Sequence, residues 1–124
     1  MLSEHKIVAF IPTTDSQKAR EFYEQKLSLT FVSDDGFALV FRANDNMLRV
    51  VKLKEFTPAQ FTILGWEVPD AKQAVSELHA RGVQFERYPW AQQDELGIWE
   101  APGGAKVAWF KDPEGNVLSV SQHP

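Results

Sequence analysis

Few side chains in this sequence can do chemistry, and those that can stand singly. Glu67 and Glu100 are carboxylates on apolar, strand-like segments, where a general base would have to sit. Arg49 is a cation inside the apolar run 47–54. A charge pointing inward from such a run needs a partner, so Arg49 and Glu67 either neutralise each other or hold a polar ligand; the plainer alternative is that both lie at a rim in water. Tyr88, Trp90 and Trp99 flank the polar loop 89–96, which is longer than a hairpin needs. Loops of this kind form lids or ligand walls, and Trp90 there either stacks on a planar ligand or packs against a partner subunit. Phe10 in the first apolar run and Ser119 in the last complete the candidate ligand-binding residues.

Other chemistries lack their residues. The absence of cysteine removes disulfides, thiolate metal sites and a cysteine nucleophile. No serine stands in a Gly-x-Ser-x-Gly context. Gly103-Gly104 is not followed by a helix, so it reads as a turn rather than a phosphate loop. His5, His79 and His123 are scattered and read as surface residues. The net charge is −4 and the basic residues are dispersed, so no nucleic-acid footprint is expected. No apolar run approaches the roughly 20 residues of a membrane span, and no apolar leader opens the chain. A cytoplasmic protein is expected.

The elements that must position these residues follow from periodicity. Residues 6–12 are apolar and partly β-branched, a strand pattern. Asp15 then stands where a helix N-cap belongs, and Ala19, Phe22, Tyr23 and Leu27 recur at helical spacing over 16–27. Strand patterns follow at 29–33, 37–42 and 47–54, separated by Asp34-Asp35-Gly36 and Asn44-Asp45-Asn46. After a connector around Pro58 the order restarts. Residues 61–68 read as a strand, Asp70 as an N-cap, Ala71, Ala74, Val75 and Leu78 as the apolar face of a helix ended by Gly82, and 83–88, 97–101, 106–111 and 117–122 as strands.

Shifting the chain by 55 residues lays Asp15 on Asp70, Ala19 on Ala74 and Leu27 on Gly82. The order of elements therefore repeats, although identity across the shift is low. This predicts an α+β fold of two tandem β-α-β-β-β units, about 5–55 and 61–122, in a single domain spanning 1–124. Helices would cover the outer faces of curved mixed sheets, whose inner faces would enclose a cavity. With the parity of Val8 and Ile63, the inner faces would carry Phe10, Pro12, Gly65, Glu67, Val117, Ser119 and Ser121.

Asp15 with Phe22-Tyr23, the Leu27-Ser28-Leu29 helix exit, and Asp112-Pro113-Glu114-Gly115-Asn116 after Trp109-Phe110 resemble the vicinal oxygen chelate superfamily of glyoxalases, bleomycin-resistance proteins and extradiol dioxygenases. The resemblance covers about 6–122 and is fairly specific for the fold but not for a reaction. Ser28 replaces the glycine usual at that exit. The resemblance implies metal ligands on the first and last strands of each unit, which fall here on Val8, Ile63, Ser119 and Arg49 (Met47 or Leu48 if the register slips). Aliphatic side chains offer no lone pair and Arg repels a cation, so no metal and no cofactor is expected. The resemblance implies a homodimer. It implies a protein that binds a small, partly aromatic molecule in a cavity between its sheets. The alternatives are a metal-dependent or metal-free lyase, isomerase or dioxygenase of the superfamily, and a regulatory module with a protein partner.

Overall fold

The computed structural model describes residues 1–124. The chain divides into two compact units, Met1–Thr57 and Pro58–Pro124. Each holds one helical segment and one open four-stranded mixed sheet, the tandem α+β arrangement that the repeat predicts. No helix is long and apolar enough to cross a membrane.

The first unit contains β1 (Val8–Thr13), α1 (Ser16–Arg20), β2 (Thr30–Asp34), β3 (Ala38–Ala43) and β4 (Asn46–Lys52), with the sheet ordered β1-β4-β3-β2. β1 runs parallel to β4, and β3 runs antiparallel to both its neighbours. Asp15 caps α1 by accepting from Lys18 N–H at 3.1 Å. The predicted single α-helix over 16–27 is not uniform. Its second half, Glu21–Lys26, widens to π-type turns, with Leu27 N–H bonding back to Phe22 C=O. The adjacent Phe22 and Tyr23 in this stretch are both buried. Tyr23 meets Phe41 of β3 with ring centroids 5.9 Å apart, and Phe31 meets Phe41 edge-on at 5.6 Å. Ile11, Leu48 and Val50 join this core, so the helix side of the sheet is sealed. By alternation, Val8, Phe10, Met47 and Arg49 lie on the face opposite the helix.

The second unit repeats the design. β5 (Leu64–Glu67), α2 (Ala71–Ala80), β6 (Trp99–Glu100), β7 (Lys106–Lys111) and β8 (Val117–Gln122) form a sheet ordered β5-β8-β7-β6. Asp70 caps α2 through Gln73 N–H at 3.1 Å, matching Asp15. Gln122 Oε1 accepts from Ala71 N–H at 2.9 Å, which fixes the helix side of β8. Phe110, Leu118 and Val120 are buried on that side, and Trp66 stacks on Phe110 at 6.4 Å. Ser119 and Ser121 therefore face away from α2.

One element differs from the sequence reading. Residues 83–88 do not form a strand. Only Phe85 bridges to Phe110, and Glu86 N–H bonds to Trp109 C=O at 2.7 Å. β6 then takes up the same edge of β7 further along, with Trp99 opposite Val107. The fourth strand is thus split in two by an excursion over residues 87–98. The chain leaves the β7 edge between Phe85 and Trp99, so the β-propensity of 83–88 has no continuous ladder to join.

Candidate functional site

The sheet register decides which predicted site residues meet. In the second unit Glu67 pairs with Ser121, Ser121 with Val107, and Val107 with Trp99, making one row across the face opposite α2. The next row runs Gly65, Ser119, Trp109. A Cβ on Gly65 would stand 3.0 Å from Ser119 Oγ, so the serine hydroxyl occupies the space that the glycine leaves free. These small residues form a floor between a carboxylate at one edge and aromatic rings at the other.

The aromatic edge holds four rings. Trp90 stacks on Tyr88 with an interplanar angle of 14° and centroids 5.9 Å apart. It meets Trp99 edge-on at 5.2 Å and Trp109 edge-on at 5.5 Å. Tyr88 in turn meets Trp109 at 5.3 Å. Centroids this close leave no room for a guest among the rings, so the group is a packed wall rather than a cage. Trp90 nevertheless remains 63% exposed and offers ring surface for stacking. Burial, and then the Glu86 carboxylate, push the Tyr88 phenol above its usual range, so it stays neutral at physiological pH.

Of the predicted residues, Tyr88, Trp90, Trp99, Ser119 and Glu67 share this face. Glu100 does not. It pairs with Lys106, on the α2 side of the sheet, and lines a polar pocket of about 380 Å³ with Asp70 and Gln122. In the first unit Phe10 and Arg49 are neighbours across β1 and β4. The Arg49 guanidinium donates to Asp35 Oδ2 at 2.6 Å, and Asp35 also accepts from Phe37 and Ala38 N–H at 2.9 Å. Arg49, followed by the two backbone donors, holds the Asp35 carboxyl down at about 2. Lys52 does the same for Asp34, whose carboxyl also lies below its usual value. Both cations are thus spoken for by the Asp34-Asp35 turn, while Glu67 takes part in no ion pair.

Sequence reasoning missed three participants. Trp109 joins the wall, and strand alternation from Ser119's partner position on β7 signals it. His123 is exposed, as a surface histidine should be, and its Nε2 lies 3.1 Å from Ser121 Oγ beside this face. Gln93 organises the excursion, and no spacing rule would have singled it out.

A model of the Glyoxalase/Bleomycin resistance protein/Dioxygenase superfamily matches residues 5–120. The chain belongs to that superfamily. Among solved structures, a superfamily member from Sphaerobacter thermophilus DSM 20745 is 21% identical, with 96% of this chain and 97% of that chain covered and a TM-score of 0.74. A lactoylglutathione lyase from Agrobacterium tumefaciens is 16% identical, with 95% and 92% covered and a TM-score of 0.73. An antibiotic binding protein from Streptomyces sp. CB03234 is 22% identical, with 97% and 96% covered and a TM-score of 0.68. At these identities the likeness establishes the fold. No curated protein matches the chain.

Metal-dependent members of the superfamily need donor side chains at four strand positions, and this member's residues do not fit a divalent ion there. Val8 pairs with Met47 and shares its face with Arg49, while Leu48 is buried on the helix side, so a register slip supplies nothing better than a thioether. Val8 and Ile63 have no lone pair, Arg49 is cationic, and Ser119 offers one neutral hydroxyl already packed against Gly65. No three His, Cys, Asp or Glu side chains group closely enough to hold an ion elsewhere.

Proposed function

We propose that this superfamily member binds a small, planar, partly aromatic molecule without a metal, on the second sheet's face opposite α2. The observation that carries the proposal is the packed wall of Tyr88, Trp90, Trp99 and Trp109, with Trp90's ring still exposed beside a floor of Gly65, Ser119 and Ser121. Stacking on an indole is tolerant of ring identity, so the wall sets a class of ligand and the polar groups select within it. Glu67, free of a cation and on the same face, favours a ring system carrying a donor or positive group. The fold is shared with an antibiotic binding protein, which is consistent with sequestration as the task.

The test is quenching of tryptophan fluorescence by proflavine, a planar cation, compared with naphthalene sulfonate, a planar anion. Proflavine binds more tightly, and Trp90→Ala weakens it by about 1–3 kcal/mol, the range for one ring's stacking. Equal binding of both probes, or indifference to Trp90→Ala, would refute the reading.

A homodimer forms part of the same proposal. Val8 and Met47 are 42% exposed and Phe10 is 61% exposed on one face of the first sheet, an apolar surface of the kind that marks an interface. Sedimentation giving a species near 14.1 kDa at micromolar concentration would contradict it.

A second reading, metal-free acid–base chemistry, is favoured by Glu67 standing across from Ser121, which is hydrogen-bonded to His123. Turnover of a methylglyoxal–thiol adduct that resists chelators and vanishes in Glu67→Gln would select it over simple binding.

A further inference from the structure

The 87–98 excursion is tied down at three levels. At its mouth, the Gln93 side chain accepts from Tyr88 N–H at 2.8 Å and donates to Glu86 C=O at 2.8 Å and Gly97 C=O at 2.9 Å. One amide thus joins both ends of the loop, using its acceptor and both of its donors. Further out, Arg87 donates to the carbonyls of Asp94 at 2.6 Å and Glu95 at 2.8 Å. Asp94 Oδ1 accepts from Leu96 and Ile98 N–H, each at 2.9 Å. Gly97 then closes the loop with φ +93°, and a Cβ there would meet Phe85 Cβ at 3.1 Å. No other residue type fits that position without strain.

These bonds all close within the segment and onto its base. Moving the segment would break them, so it acts as a fixed wall and not a lid. Within it, Trp90 has no hydrogen bond of its own to set its ring. It lies in the turn closed by Ala91 N–H to Tyr88 C=O at 3.1 Å, and Tyr88 N–H is the group that Gln93 holds. The stance of the Tyr88–Trp90 stack therefore depends on Gln93 at the base of the loop, together with the rings that Trp90 touches.

We propose that Gln93 is a positioning residue for ligand recognition: it presets the Trp90 ring, so that the protein selects its guest with a rigid platform. This rests on the aromatic wall being the ligand-binding face. Its consequence is that the ordering cost of the wall is met during folding and not on binding.

The experiment compares wild type with Gln93→Met, which keeps length and removes all three hydrogen bonds, and with Gln93→Glu, which keeps the acceptor for Tyr88 N–H but loses both donations. Gln92→Met, at the exposed neighbouring position, is the control. Near-ultraviolet circular dichroism, dominated by close aromatic groups such as the coupled rings of the wall, reports the stance of Trp90 against its neighbours, and stopped-flow quenching by proflavine reports binding. The expected results are a loss of dichroic intensity in Gln93→Met, a smaller loss in Gln93→Glu, and none in Gln92→Met. Proflavine Kd rises roughly three- to tenfold in Gln93→Met, mostly through faster dissociation. Association to wild type proceeds in one phase with a rate linear in concentration. Unchanged dichroism in Gln93→Met overturns the proposal, as does wild-type association that saturates with concentration, the mark of a closing lid. If wild type binds no proflavine, the proposed ligand face fails, and the dichroism of the three variants still decides whether Gln93 sets the ring.

Discussion

Asp112 shows how far the residues most diagnostic of this superfamily serve the fold. Its carboxylate accepts from Glu114 N–H at 2.9 Å, from Asn116 N–H at 3.0 Å and from Asn116 Nδ2 at 2.9 Å. Its own N–H donates to Asn116 C=O at 3.1 Å, and Gly115 N–H bonds back to Asp112 C=O at 3.0 Å. Asp112 is 6% exposed and Asn116 1%. Replacing Asp112 with alanine takes the carboxylate acceptor away from two buried donors of Asn116, while Glu114 N–H is only half-buried and regains water. Each buried donor that loses its acceptor costs about 1–3 kcal/mol, so Asp112→Ala should lose roughly 2–6 kcal/mol. That is a large share of the about 5–15 kcal/mol typical of a folded domain. Asp112→Asn keeps one oxygen for the two backbone donors but points an amide at the Asn116 amide, and should lose about half as much. The assay is urea unfolding, read as a lower midpoint at constant slope. A loss below about 1 kcal/mol in Asp112→Ala, or equal losses in the two variants, would show that the turn is held by something other than this carboxylate.

Two further outcomes follow from the first unit. The Asp35 carboxyl is held near 2 against an ordinary 3.8, so its contribution to stability is present above 3.8 and is lost as the pH falls through about 2. In Arg49→Met the Asp35 carboxyl should titrate higher, yet still below 3.8 because Phe37 and Ala38 N–H remain; carbon-13 NMR of the side chain measures this, and an unmoved midpoint refutes the assignment. Ser28 holds a left-handed φ of +59° where the helix exits. Ser28→Gly should stabilise the protein by about 0.5–1 kcal/mol and Ser28→Val should destabilise it by about 1–2 kcal/mol in thermal melts, and a reversal of that order would show that the serine side chain outweighs its backbone strain.

The local code of this chain is strong at the helix starts and the turns. Asp15 and Asp70 each accept from the backbone three residues on, at the same 3.1 Å, and those two bonds are the physical content of the 55-residue repeat. Period-two alternation placed Phe10, Glu67, Ser119 and Ser121 on the faces opposite the helices, because the pleat leaves no other choice once Ile11 and Leu118 are buried. Asp112 and Asn116 marked their turn for the same kind of reason: their bonds span at most four residues.

Tertiary structure decided what depends on partners distant in sequence. Arg49 found Asp35 across a hairpin, 14 residues away, because the β3–β4 register delivers it there. Residues 83–88 have the composition of a strand, yet β7 offers its edge to Phe85 and then to Trp99, leaving the chain between to be closed by Gln93. Helix 16–27 widens to π-type turns over Glu21–Lys26, the stretch that carries the buried pair Phe22 and Tyr23. The sequence by itself determined caps, turns and faces, since each is written in neighbours a few residues apart. The wall of Tyr88, Trp90, Trp99 and Trp109 was decided only in three dimensions, where four rings from a loop and two strands come within van der Waals reach of one another.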